Sequence, residues 1–160
     1  MLTAVFVVLS AWWVKGPVLV CLGLSSDLRG RRLPIAAAAS LVAIGCASLA
    51  ANGLKQLFDR ARPPVAEPDL GSVVALPGNP SFPSGHAATA FAAATVIALI
   101  CPKLRYWALG LAAAVALSRV YLRVHYPLDV FAGALLGAGL GALVALAATR
   151  LIAAKTPRPA

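Results

Sequence analysis

The sequence predicts an all-α fold: a polytopic membrane helical bundle of about five transmembrane helices, with the N-terminus outside and the C-terminus inside. Three observations predict it. The 160 residues are 61% hydrophobic and 12% charged, whereas soluble domains hold about half apolar and about a quarter charged residues. The apolar residues fall into runs close to the roughly 20 residues that cross a hydrocarbon core. The basic residues cluster beside those runs, as Arg29, Arg31 and Arg32, then Lys103 and Arg105, then Arg150, Lys155 and Arg158. All three clusters fall in the cytoplasm if the chain crosses five times starting from outside. A net charge of +9 distributed in this way marks topology. It leaves no basic stripe for a polyanion, so nucleic acid is not an expected partner.

The first span, about residues 2–24, is interrupted by Lys15, Gly16 and Pro17 after Trp12-Trp13. A lysine at that depth is either a functional group or the mark of a kinked, shallow helix whose ammonium snorkels to the interface. The second span, about 34–55, opens at Pro34 after the first basic loop and emerges outside. Lys55, Asp59, Arg60 and Arg62 follow it before Pro63-Pro64. Continued helix would bring Lys55 and Arg62 to nearly one face about two turns apart, as a clamp for an anion or as partners of Asp59. Residues 63–83 form an outer loop rich in Pro and Gly, with Glu67 and Asp69 and no periodic pattern. The third span, about 84–100, starts at Pro83-Ser84-Gly85-His86. Ser84 suits the N-cap, and the free N–H groups from Gly85 onward suit an anion, although an ordinary capped helix beside a histidine reads the same way.

Pro102, Lys103 and Arg105 make a second cytoplasmic turn, and the fourth span, about 106–122, carries Arg119 near its outer end. A cation there needs an anionic partner. A brief connection leads to Pro127 and the fifth span, about 127–149, with Gly133, Gly137 and Gly141 spaced as a small-residue packing face. His125 and Asp129 stand one helical turn apart, so the carboxylate can hold one ring nitrogen as N–H and leave the other to attack. Cys21, Cys46 and Cys101 show no disulfide or zinc spacing and read as small packing residues. The start of the chain shows no basic n-region and no cleavage site of a removable signal peptide.

Lys55, six residues, Arg62-Pro63; Pro83-Ser84-Gly85-His86; and Ser118-Arg119, five residues, His125, three residues, Asp129 together resemble the three motifs of the type 2 phosphatidic acid phosphatase family. The resemblance spans residues 55–129. Members of that family include bacterial undecaprenyl-diphosphate and phosphatidylglycerophosphate phosphatases, and their commoner membrane form has six helices. The resemblance implies a single membrane phosphatase domain over residues 1–160, a phosphoric monoester or diphosphate hydrolase. His125 would be the nucleophile that forms a phosphohistidine, oriented by Asp129. His86 would be the general acid and then the base. Lys55, Arg62, Ser84, Gly85 and Arg119 would bind the phosphate, with no metal and no cofactor. The implied substrate is a lipid phosphate in the bilayer, first a prenyl (undecaprenyl-type) diphosphate. Phosphatidylglycerophosphate, phosphatidic acid and a prenyl-linked sugar phosphate are the alternatives. The implied place is a bacterial-type plasma (inner) membrane, with the site facing the periplasm or exterior. Two rival readings remain: a metal site on His86, His125 and Asp129, which three neighbouring cations oppose, and a non-catalytic anion or lipid transporter or scaffold. No motif sets the oligomeric state.

Overall fold

The computed structural model describes residues 3, 4, 7, 32–71 and 73–155. Most of the first expected span, with Lys15 and Cys21, lies outside the described residues, as do Arg29, Arg31 and Arg158. Among the described residues every element is helical: α1 (Arg32–Phe58), α2 (Pro63–Ala66), α3 (Gly85–Ile100), α4 (Arg105–Tyr121) and α5 (Pro127–Lys155), with short 3-10 turns at Pro68–Leu70 and Pro102–Leu104. Helices α1 and α5 contain stretches long and apolar enough to cross a membrane by themselves; α3 is apolar and shorter, at 16 residues.

The centre of the bundle is α3, which packs against α5, α1 and α4, most extensively against α5. Its neighbours meet it through small side chains. Ala36, Ala39, Ala43, Ala47 and Ala51 of α1 bury against Ala88, Ala92 and Val96 of α3 and Ala145 of α5. Ala90, Ala93, Ala94 and Ile97 bury against Ala108, Ala112 and Val115 of α4. The glycine face of α5 is used within the chain. A Cβ on Gly133, Gly137 or Gly141 would stand 2.4, 2.0 or 2.4 Å from the carbonyl oxygens of Ser84, Ala88 and Ala92, so only glycine allows this backbone approach. Large apolar residues point outward instead: Leu41, Leu49, Trp107, Leu117, Phe131, Leu135 and Leu143 are all exposed. Small residues inside and large ones outside suit a bundle whose solvent is lipid, where close packing rather than water exclusion drives helix association.

Several boundaries differ from those the sequence predicts. The second span runs three residues past 55, to Phe58, and the fifth runs to Lys155 rather than 149. Lys55 and Arg62 do not share a continuous helix. Asp59 adopts φ 37°, a left-handed conformation that Asp tolerates better than most residues, and its N–H closes α1 on the Lys55 carbonyl at 3.1 Å. Arg62 is extended, at φ −77° and ψ 154°, as the residue before a proline prefers. The loop at 63–83 also contains helical turns. Pro63 opens α2, where its fixed φ and missing N–H are no handicap.

Candidate functional site: a cationic pocket at the ends of four helices

Each cation of the site is placed by a local backbone feature. Lys55, in the last turn of α1, is buried, and its ammonium donates to the Pro80 carbonyl and, at 3.5 Å, to that of Ser81. This ties the end of α1 to the segment that leads into α3. Arg62, also buried, caps α2 and turns its guanidinium inward. Asn79 grips it on two edges, with Nε donating to the Asn79 carbonyl at 3.0 Å and Nη2 to Oδ1 at 2.7 Å. Nη1 donates to the Val124 carbonyl at 2.7 Å and reaches His125 Nε2 at 3.3 Å. Arg119 sits in the last turn of α4, only 5% exposed, and its Nε has no hydrogen-bond partner. Among the described residues it also makes no ion pair. A permanently charged guanidinium left unpaired in the interior is costly, and an anionic ligand removes that cost.

The histidines come from different elements. His125 lies in the connection between α4 and α5, where Arg123 takes φ 57°. The N–H groups of Val124 and His125 both fold back onto the Arg119 carbonyl, at 3.2 and 3.3 Å. His86 follows Gly85 in the first turn of α3, whose N-cap is Ser84; the Ala87 N–H donates to Ser84 Oγ at 3.5 Å. Lys55, Arg62, Gly85, His86, Arg119 and His125 line one cavity of about 140 Å³, with the neutral side chains of Ser48, Asn52 and Thr89 extending it inward. Of the other expected site residues, Ser84 is wholly buried as the cap of α3, and Asp129 is wholly buried behind His125; neither lines the cavity.

Asp129 is heavily engaged. Oδ1 accepts from Arg60 Nη1 at 2.8 Å, while Oδ2 accepts from Ser81 Oγ at 2.5 Å and from the Tyr126 N–H at 3.0 Å. Its Oδ2 stands 3.7 Å from His125 Nδ1. Arg60 lies flat over Tyr126, with its guanidinium carbon 4.1 Å from the ring centroid. Sequence reasoning singled out neither Ser81, Asn79 nor Arg60 for a role. The signal for Ser81 and Asn79 was only their place just ahead of Pro83; Arg60 showed as a charge near an apolar span. Among the described residues no three His, Cys, Asp or Glu side chains converge as a metal-binding group.

The His125 pKa is lowered from 6.5 to about 4. Burial is the main cause, and the Arg62, Lys55 and Arg119 charges add to it, while Asp129 pulls the other way. The ring is therefore neutral at pH 7, with a lone pair available to an electrophile. Between about 6.5 and 4 the unfolded chain takes up a proton here that the folded chain refuses, so His125 erodes stability as the pH falls through that window. An imidazole titration by NMR on the ligand-free protein is expected to show one histidine, His125, uncharged down to about pH 4; a midpoint near 6.5 would contradict the burial argument.

A helix N-terminus, three buried cations and a neutral histidine around one cavity make a pocket suited to an anion, here set in a bundle of lipid-suited helices. The chain belongs to the PAP2 superfamily, whose sequence model matches residues 36–153. It is 46% identical over 69 residues to an undecaprenyl-diphosphatase of Sulfolobus acidocaldarius, covering 42% of this chain and 33% of that protein. It is 38% identical over 120 residues to a decaprenylphosphoryl-5-phosphoribose phosphatase of Mycobacterium tuberculosis, covering 72% and 61%. The chain thus spans between one third and about three fifths of these curated relatives. Among solved structures, Aquifex aeolicus LpxE superposes with a TM-score of 0.72 at 28% identity, covering 89% of this chain and 82% of that one. A PAP2-type phosphatidylglycerolphosphate phosphatase from Bacillus subtilis superposes with a TM-score of 0.55 at 26% identity, covering 98% and 84%.

Proposed function

We propose that this protein is a membrane lipid phosphatase that works without a metal through a phosphohistidine on His125. The observation that carries the reading is Arg119: a buried, unpartnered guanidinium lining the same cavity as the Nε2-bearing ring of a neutral histidine. In the first step the Nε2 lone pair attacks the terminal phosphorus and the bond to the leaving oxygen breaks, with His86 giving that oxygen its proton. In the second step His86 takes a proton from water, whose oxygen attacks phosphorus. The P–N bond breaks, inorganic phosphate forms and Nε2 regains its lone pair. Lys55, Arg62, Arg119 and the Gly85 N–H neutralise the phosphoryl oxygens throughout, the role a divalent ion has in other phosphoryl transfers. Ser84 contributes by fixing the start of α3.

The substrate class we assign is a lipid phosphate or diphosphate, with prenyl diphosphate first. Phosphatidylglycerophosphate, phosphatidic acid and prenyl-linked sugar phosphates follow, and the relatives' own names span this range. An open apolar groove is lined by Phe58, Phe82, Leu128 and Arg60, the last of which pairs with Asp129, and it supports a substrate with a hydrocarbon chain. We place the pocket at the outer face of the plasma membrane, with the N-terminus outside and the C-terminus inside. Lys103, Arg105 and Arg150 stand at the helix ends remote from the pocket, which supports that orientation. The whole chain then acts as one catalytic domain.

Phosphate release by the purified protein across a panel of prenyl and diacylglycerol phosphates, with and without EDTA, tests the reading. Release that survives EDTA is expected. Release lost to EDTA and restored by zinc or manganese would sink the metal-free mechanism, and no release from any lipid would sink the enzyme. In the same assay Arg119→Gln is expected to lower kcat/KM by roughly 10²- to 10³-fold, the usual cost of one preorganised donor to a developing oxyanion. A loss below tenfold would remove Arg119 from the phosphate cradle.

A further inference from the structure

The carboxylate expected to orient the nucleophile does not reach it. Asp129 Oδ2 and His125 Nδ1 are 3.7 Å apart, beyond hydrogen-bond range. The Ser81 hydroxyl bridges them. Its Oγ donates to Asp129 Oδ2 at 2.5 Å and lies 3.4 Å from His125 Nδ1, and the residue is wholly buried. An ionised carboxylate only accepts, so the single hydroxyl hydrogen goes to Asp129 and a lone pair of Oγ faces Nδ1. Nδ1 must then carry the ring proton. The other edge of the ring agrees independently. Nε2 is 3.3 Å from Arg62 Nη1, and a guanidinium only donates, so Nε2 is the unprotonated nitrogen.

We infer that Ser81 is a positioning residue that relays the hold of Asp129 to His125 and fixes the ring in its Nδ1–H tautomer. The inference rests on the phosphohistidine reading for its consequence, which is that the Nε2 lone pair faces the cavity before any substrate arrives. It also explains why Ser81 is placed so firmly. Its N–H donates to the Arg60 carbonyl at 2.8 Å and its carbonyl accepts from Lys55, so one residue ties the last cation of α1, the ion pair of Asp129 and the nucleophile together. Both anchors are backbone groups, so Ser81→Ala keeps them and loses only the relay.

The test combines turnover with the tautomer itself. The chain holds two histidines, so ¹⁵N-histidine spectra in detergent give two rings, with His86→Gln assigning the second. The wild-type His125 ring is expected to show protonated Nδ1 and bare Nε2, and Ser81→Ala to show an appreciable Nε2–H form. Turnover of Ser81→Ala is expected to fall about 10- to 100-fold in kcat, by analogy with the loss of the partner that orients a metal-binding histidine, with KM unchanged. Ser81→Thr, which keeps a hydroxyl, is expected to recover most of it. A wild-type ring already in the Nε2–H form overturns the inference, as does Ser81→Ala with unchanged spectrum and kcat, or a rise in KM alone. If the wild type releases no phosphate from any lipid, the phosphatase reading fails separately, and the wild-type spectrum still decides the role of Ser81.

Discussion

His125→Ala is expected to abolish phosphate release while the protein still binds lipid phosphate. If His125 is the nucleophile proposed above, its loss removes a reaction path rather than one interaction, so the fall in kcat is expected to be on the order of 10⁴-fold or more. Binding survives because the cradle does not depend on the ring. Arg62 keeps its bonds to Asn79 and to the Val124 carbonyl, Lys55 keeps Pro80, and Arg119 has no protein partner to lose. A rapid-quench experiment with ³²P-labelled lipid should trap acid-labile, base-stable label on the wild type and none on the variant. Unchanged release from the variant would end the catalytic assignment and favour a passive anion or lipid carrier.

Gly137→Ala is expected to be among the most destabilising single substitutions in the chain despite adding one methyl group. The new Cβ would stand 2.0 Å from the Ala88 carbonyl oxygen and 2.8 Å from its carbon. Both are backbone atoms within a helix and cannot swing aside, so α5 must retreat from α3 by about 1 Å or more. Overpacking of this kind costs about 3 kcal/mol at its upper range. It exceeds the gain of up to about 1 kcal/mol that alanine normally brings to a helix interior. Gly139→Ala is the control, because nothing lies within 4 Å of a Cβ built there. Thermal unfolding in detergent should show Gly137→Ala falling well below wild type and Gly139→Ala matching or exceeding it. Equal midpoints for the two variants would refute the tight-contact account.

The parts of this molecule legible in its sequence are those where chemistry is conspicuous against an apolar ground. In a chain this hydrophobic, a lysine, two arginines and two histidines at helix ends stand out by type alone, and Pro127 and Ser84 mark helix starts by their own covalent properties. What was illegible arises through folding. The reading of Lys55 and Arg62 as one helical face failed because nothing in Phe58-Asp59-Arg60-Ala61 forbids helix. The break comes from Asp59 turning left-handed and from Pro63 dictating an extended Arg62, and the second of these signals was present. Ser81, Asn79 and Arg60 are ordinary loop residues by composition. They matter because α1, the loop ahead of α3 and the start of α5 meet there, a long-range juxtaposition that no local pattern encodes.

The glycine notches of α5 also divide the pocket by freedom to change. Gly133 seats on the Ser84 carbonyl, and the Ser84 N–H returns to the Asp129 carbonyl at 2.9 Å. The start of α3 and the start of α5 are therefore locked at one height, and with them His86 and Asp129. A 1 Å slip between such elements can cost on the order of 10²-fold in rate, so this half of the pocket leaves little room for variation. Helices α1 and α4, which supply Ser48, Asn52, Lys55 and Arg119, meet α3 through alanine surfaces and barely meet each other. Apart from Lys55 and Arg119 themselves, the α1 and α4 walls, Ser48 and Asn52 among them, are therefore where the shape of the pocket can change while the half that holds His86 and Asp129 stays unaltered.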